Sequence, residues 1–218
     1  GTRNVLEGAR QSRPGCRMYF ASSGDCFGDT GDRAADEQWP FNPVSPYGTA
    51  RCEAAAHVRS YRREHGLYAC NGFTFAHESP LRPAHFVTQK IATSAARIAA
   101  GVQQSLELGS LDVIRDWGWA PEYVDGMHRM LQQPGPGDYV LATGRSIALE
   151  SLVESAFRHF GLDWRKCVTT TASLQRPSDI RASRADPGLA ARDLQWRATV
   201  SAEQAMERMC EAVSVKRP

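Results

Sequence analysis

Short apolar runs alternate with helix-length amphipathic segments along the whole chain, and this alternation limits the fold more than any other feature. Residues 16–22 read as a buried strand that breaks at Ser23, Gly24 and Asp25. After the proline-ruled loop 40–46, a helix is expected from Tyr47 to about His65. Residues 68–77 give the next strand, about 85–102 a long helix, and 106–111 a short extended piece. A helix with proline in its first turn follows at 121–133, then a strand at 139–143. Residues 146–160 carry Ile147, Leu149, Leu152, Val153 and Phe157 at helical spacing. Helices are also expected over 1–10, near 189–194 and at 202–213. Strands separated by helices of this length specify βαβ units, hence an α/β fold with a doubly wound, mainly parallel sheet covered on both faces.

The chain has 218 residues, 42% apolar and 23% charged, enough for one ordinary core and a small second lobe. Its formal charge of +2 is dispersed, without the basic run that nucleic acid or a membrane surface would require. No stretch approaches the roughly 20 apolar residues of a membrane span. The amino terminus lacks a signal-peptide progression, so a cytoplasmic location is expected. Cys16, Cys26, Cys52, Cys70, Cys167 and Cys210 fall at irregular spacings without a CxxC pair, which reads as reduced, packing thiols and no metal site.

Chemistry concentrates between residues 23 and 51. Ser23 and Asp25 end a strand, and in the segment SPYGTAR, Tyr47 stands four residues before Arg51, on the same helix face. A cation fixed beside a phenol is what lowers a tyrosine pKa from about 10 toward neutrality, so that it can take a proton from a sugar hydroxyl. A serine hydroxyl can hold the same oxygen.

The stretches ASSGDCFGD, PFNPVSPYGTAR, NGFTFAHESPLRP, FVTQKI, LGSLDVIRDWG, DYVLATG and QRPSDI resemble, in order and spacing, those of GDP-mannose 4,6-dehydratases, which are extended short-chain dehydrogenase/reductases. The resemblance runs from the first helix to about Val200. It implies a Rossmann-like fold with a small mixed α/β substrate lobe, drawn mainly from 76–120 and 165–218. It also implies NADP as cofactor, GDP-mannose as substrate, a 4-keto-6-deoxy sugar as product, a homodimer or homotetramer, and a place in nucleotide-sugar metabolism leading to GDP-fucose. The family's Thr-x-Glu falls on Ser23 and Asp25, its tyrosine on Tyr47 and its lysine on Arg51. His77 and Arg82, with Tyr47 and Arg51, match cofactor positions. Val87 and Lys90 match the guanine side, and Arg115, Arg176 and Asp179 the rest of the nucleotide.

This sequence departs from the family at several of those places. Aspartate for glutamate shortens the Asp25 side chain by a methylene, and the planar Arg51 fork can meet the ribose or turn to a carboxylate such as Asp25. Ala76, Leu81 and Pro83 replace Asn, Arg and Gly in the cofactor loop, and Trp119 replaces a histidine. Trp117 and Trp119 read as packing residues, as do Trp39, Trp164 and Trp196. The chain has no GxGxxG-like fingerprint, so the resemblance implies that the first βαβαβ half is missing. Three functions stay open: a dehydratase, a non-catalytic GDP-sugar-binding or partner-binding protein, and another short-chain redox enzyme acting on a GDP-sugar.

Overall fold

A computed structural model describes residues 1–174 and 180–214. The elements run α1 (Thr2–Ser12), β1 (Met18–Ser23), α2 (Pro46–His65), β2 (Ala69–Thr74), β3 (Ala76–Glu78), α3 (Val87–Ala99), β4 (Leu106–Leu108) and β5 (Ile114–Trp119). Then follow α4 (Ala120–Met130), β6 (Asp138–Leu141), β7 (Ser146–Ala148), α5 (Leu149–His159), β8 (Val168–Thr170), β9 (Ala182–Ser183), α6 (Gly188–Asp193) and α7 (Ala202–Ser214).

The expected parallel sheet is present as β1–β2–β6, with Met18–Ser23 in register against Ala69–Thr74 and Asn71–Thr74 against Asp138–Leu141. Side-chain alternation sends residues 69, 71 and 73 of β2 to one face and 70 to the other. On the first face Ala69 packs with Leu6 of α1 and Val58 of α2, and Phe73 packs with Phe27 and Ala55. On the opposite face Cys70 meets Tyr123 and Met130 of α4 and Ala190 of α6. Helices on both faces explain why β2 is buried almost throughout. Its one fully buried amide, Asn71, is satisfied by the Ser22 hydroxyl, the Ala55 carbonyl and Asp138.

A second core lies among α3, α5, α7 and β5, built on Ile91, Leu152, Phe157, Met206 and Trp117. Strand β5 organises it. Its first half pairs with β7 (antiparallel) and β9 (parallel), and its second half with β3 (parallel). Trp117 is 4% exposed here and Trp196 2% exposed in the other core, in keeping with packing roles. The Arg208 guanidinium lies over the Trp119 ring.

The structure corrects several boundaries. The strand expected over 68–77 is two strands in different sheets. At Phe75 the chain leaves β2: its N–H still donates to the Leu141 carbonyl at 3.0 Å, while Ala76–Glu78 turns to pair with Trp117–Trp119. The helix expected from 146 starts at Leu149, because Ser146–Ala148 pairs with Ile114–Asp116. Ile147 continued the helical pattern by chance. The helix expected from 85 starts at Val87. Strands β5, β8 and β9 escaped the sequence reading, since RDWGW has neither apolar alternation nor a continuous apolar run.

Candidate functional site

Strands of a parallel sheet present their carboxyl ends to ligands. At that end of β1 the chain turns through Gly24–Cys26, and the Ser23 hydroxyl accepts the Asp25 N–H at 3.2 Å. Helix α2 begins with the Ser45 hydroxyl capping the Gly48 N–H at 3.0 Å and Pro46 in the first turn. Gly48 is required by proximity, because a Cβ there would lie 2.9 Å from the Asp25 carbonyl oxygen and 3.0 Å from Pro43 Cβ. The bare backbone lets the first turn of α2, which carries Tyr47, rest on the turn that carries Ser23 and Asp25, although 24 positions separate Ser23 from Tyr47. The Tyr47 side chain is half exposed, and its hydroxyl makes no hydrogen bond among the described residues.

Arg51 is close, as the i,i+4 spacing demands, but it does not turn to Asp25. The guanidinium lies over the Tyr47 ring, 4.9 Å from the centroid, and donates to the Ala21 carbonyl at 2.9 Å. It thus addresses the aromatic face and an open backbone acceptor of β1, and no ion pair joins it to Asp25. A planar cation on a short tether satisfies itself locally in this way.

Burial raises the Asp25 carboxyl above its usual range, while Arg115 pulls it the other way. Arg115 sits on β5 and donates to the Ile114 carbonyl at 2.8 Å. It also acts on Asp29, whose carboxyl is pushed up by burial but ends below its usual range because N–H groups of Gly31, Arg181 and Ala182 hold it. Residues 90 positions apart therefore share one electrostatic environment.

His77 stacks on the buried Tyr123 ring at 4.8 Å, and its Nδ1 lies 2.8 Å from the Phe75 carbonyl, which requires Nδ1–H as donor. Burial lowers its pKa, with Arg82 assisting and the Phe75 carbonyl opposing, so the ring is neutral and presents Nε2 as an acceptor. Arg82 is engaged by the buried Glu78 at 3.0 Å and covers the Phe86 ring. Val87 opens α3 half exposed, and Lys90 donates to the Glu107 carbonyl at 2.6 Å. Arg176 and Asp179 lie outside the described residues. No cluster of three metal-ligating side chains occurs among the described residues.

Two buried acids of this region were missed in the sequence. Glu78 accepts Arg82 and the Thr88 hydroxyl at 2.7 Å, fixing the loop between β3 and α3; its place inside HESP was the available signal. Asp116, beside Arg115, is fully buried and accepts Thr143 N–H and hydroxyl, both at 2.8 Å. Among the described residues, its Oδ2 and the hydroxyl of the neighbouring Tyr123 have no partner at hydrogen-bond geometry. Burial raises its pKa to about 6 against the pull of the Thr143, Gly144 and Arg145 donors.

An acid that holds its proton more tightly in the folded chain stabilises the fold below its unfolded pKa near 4. That contribution disappears as pH rises through about 6. The displacement is worth about 3 kcal/mol. Asp116→Asn keeps the acceptor and removes the charge, so it should raise Tm at pH 7.5 by about 5 °C and flatten the stability profile between pH 4 and 6. Thermal melts across that range check this; an unchanged slope would show that Asp116 does not titrate there.

A sequence profile of the family described as GDP-mannose 4,6 dehydratase matches residues 1–209. GDP-mannose 4,6 dehydratase 1 of Arabidopsis thaliana is 38% identical over 195 residues, covering 89% of this chain and 54% of that protein. The Sinorhizobium fredii GDP-mannose 4,6-dehydratase is 48% identical over 146 residues, 67% of this chain and 42% of its own. The Drosophila melanogaster GDP-mannose 4,6 dehydratase is 34% identical, covering 97% and 58%. The chain spans about half the length of the curated relatives it matches. Among solved structures, RMD from Pseudomonas aeruginosa, complexed with NADPH, superposes with a TM-score of 0.89 at 19% identity over 99% of this chain and 72% of that one. The dTDP-glucose 4,6-dehydratase of Bacillus anthracis, in complex with NAD, gives 0.87 at 16%, over 99% and 67%. These two likenesses establish a shared Rossmann-like α/β fold, and the profile match over nearly the whole chain places it in the GDP-mannose 4,6-dehydratase family.

Proposed function

We propose that this chain is the catalytic and sugar-nucleotide portion of an NADP-dependent GDP-mannose 4,6-dehydratase, forming GDP-4-keto-6-deoxymannose within a complete polypeptide. The observation that carries this reading is the half-exposed Tyr47 phenol, its hydroxyl without a hydrogen bond among the described residues, on the first turn of α2 beside the Ser23–Asp25 turn. Tyr47 takes the proton of the sugar 4-hydroxyl, and Ser23 holds the same oxygen. Asp25 takes the C5 proton and returns a proton to the departing 6-hydroxyl. A carboxyl raised by burial is suited to that exchange, because it binds a proton readily and gives it up again. The nicotinamide nucleotide, when bound, supplies the hydride acceptor and donor.

On the cofactor side, Tyr47, Arg51, His77 and Arg82 would hold the nucleotide. Tyr47 and the neutral His77 fit this as they stand. Arg51 and Arg82 must exchange their present contacts with Ala21 and Glu78. Val87 and Lys90 would receive guanine, and Arg115, Arg176 and Asp179 the ribose and diphosphate, within a substrate lobe drawn mainly from 76–120 and 165–218. Pairing of copies through α2, with its alanine-rich stretch 53–57, and the following long helix α3 gives a homodimer or homotetramer. Such an enzyme works in the cytoplasm; among the described residues, no helix is long and apolar enough to cross a membrane.

The placement of Arg51 on the Tyr47 ring favours one competing reading, a protein that binds the GDP-sugar without converting it. The two are separated by joining the chain to the amino-terminal segment of the Sinorhizobium fredii relative and supplying NADP and GDP-mannose. There, Arg51→Lys with Asp25→Glu should raise keto-sugar formation by about a hundredfold, the scale of an ångström of misplacement. If the double variant binds both nucleotides and forms no keto sugar, the binding protein is the better description.

A further inference from the structure

Cys26 and Cys52 each adjoin a candidate site residue, and neither has a role in the chemistry above. Cys26 ends the turn that carries Asp25, and Cys52 follows Arg51 on α2. Twenty-six positions apart in sequence, they meet in the aromatic core of Phe27, Phe73 and Phe75. The Cys52 thiol lies 3.7 Å from the Cys26 carbonyl oxygen, and each thiol contributes to the electrostatics of the other. Cys70 and Cys210 are buried in the two other cores.

We propose that Cys26 and Cys52 are a reversible oxidation site, closing to an internal disulfide that fastens the Asp25 turn to α2 when a low-molecular-weight disulfide is the oxidant. The two sulfurs are unequal. Cys26 is fully buried, and burial, followed by the Cys52 thiol, pushes its pKa to about 12. Cys52 is half-buried and, although burial raises its thiol too, hydrogen bonding from Cys26 and the charge of Arg59 favour its thiolate. Cys52 is therefore the attacking sulfur. Its thiolate displaces one thiolate from the small disulfide and forms a mixed disulfide; Cys26 then attacks the Cys52 sulfur, forming the internal bond and expelling the second thiol. Two protein thiols are oxidised and one small disulfide is reduced to two thiols. The scarcity of thiolate makes the reaction slow at neutral pH. Its consequence is local, since the bond holds the spacing between Asp25 and the first turns of α2.

The purified chain, incubated with oxidised glutathione at pH 8.5, should lose about two mass units, the two thiol hydrogens. Its peptide map should link Cys26 to Cys52. The loop so closed should raise Tm by about 5–10 °C, reversibly with dithiothreitol. Cys52→Ser should show neither the mass loss nor the Tm gain. The proposal is overturned if the wild-type chain is inert, if it carries only glutathione adducts, if the map links another pair, or if Cys52→Ser closes a disulfide equally well.

Discussion

Tyr47→Phe, made in the chain completed with a relative's amino-terminal segment, should lower keto-sugar turnover by about 10²–10⁴-fold, the usual worth of a positioned general base. The affinity for GDP-mannose should change by no more than about twofold, because the ring that faces the ligand is retained and only the proton acceptor is removed. The substitution is structurally mild. The hydroxyl makes no hydrogen bond among the described residues, and the Arg51 guanidinium rests on the ring face, which phenylalanine preserves. Single-turnover assays together with calorimetric titration of GDP-mannose check the split. Turnover within tenfold of the parent would mean that another group removes the proton, and Tyr47 would be no more than a wall of the pocket.

The largest stability effect is expected at Glu78. Its carboxylate is buried and accepts from Arg82 and Thr88 at once, so Glu78→Ala leaves a largely buried guanidinium without its anion and a buried hydroxyl without its acceptor. Breaking one side of such a pair costs about 3–5 kcal/mol, which lowers Tm by about 10 °C in a chain of this size. Glu78→Gln keeps an acceptor for Thr88 and should cost about 1–3 kcal/mol. The order of the two urea midpoints is the discriminating result. Equal midpoints would show that a neutral acceptor for Thr88 contributes nothing and that the whole loss lies with the charge of Glu78. The loop that Glu78 fixes carries Leu81, 91% exposed where the family has arginine, so a loosened loop should also weaken cofactor retention in the completed protein.

Some of this site is legible in residue types alone. Ser45 and Pro46 set the start of α2, and the four-residue spacing puts Arg51 on the face of Tyr47 whatever surrounds them. What the guanidinium then touches is not encoded locally. It is decided by where β1 passes, because the Ala21 carbonyl on that strand is the acceptor within reach. The approach of Arg115 to Asp25 is likewise invisible in the sequence, since β5 has no strand signature of its own and takes its conformation from β3, β7 and β9. The buried acids Glu78 and Asp116 stood in motifs already singled out. They were overlooked because an acidic residue gives no hint of burial until its donors are in place.

By itself the sequence determined the βαβ order, the parallel central sheet, the two-faced burial of β2 and the family, because each follows from local periodicity or from long matched motifs. Tertiary structure alone decided the break at Phe75, the change of Ser146–Ala148 from helix to strand, the orientation of Arg51, and the meeting of Cys26 with Cys52. The physical reason is common to all four. A short segment has nearly equal local free energies as helix, strand or turn, so the partners it finds across the fold set the outcome.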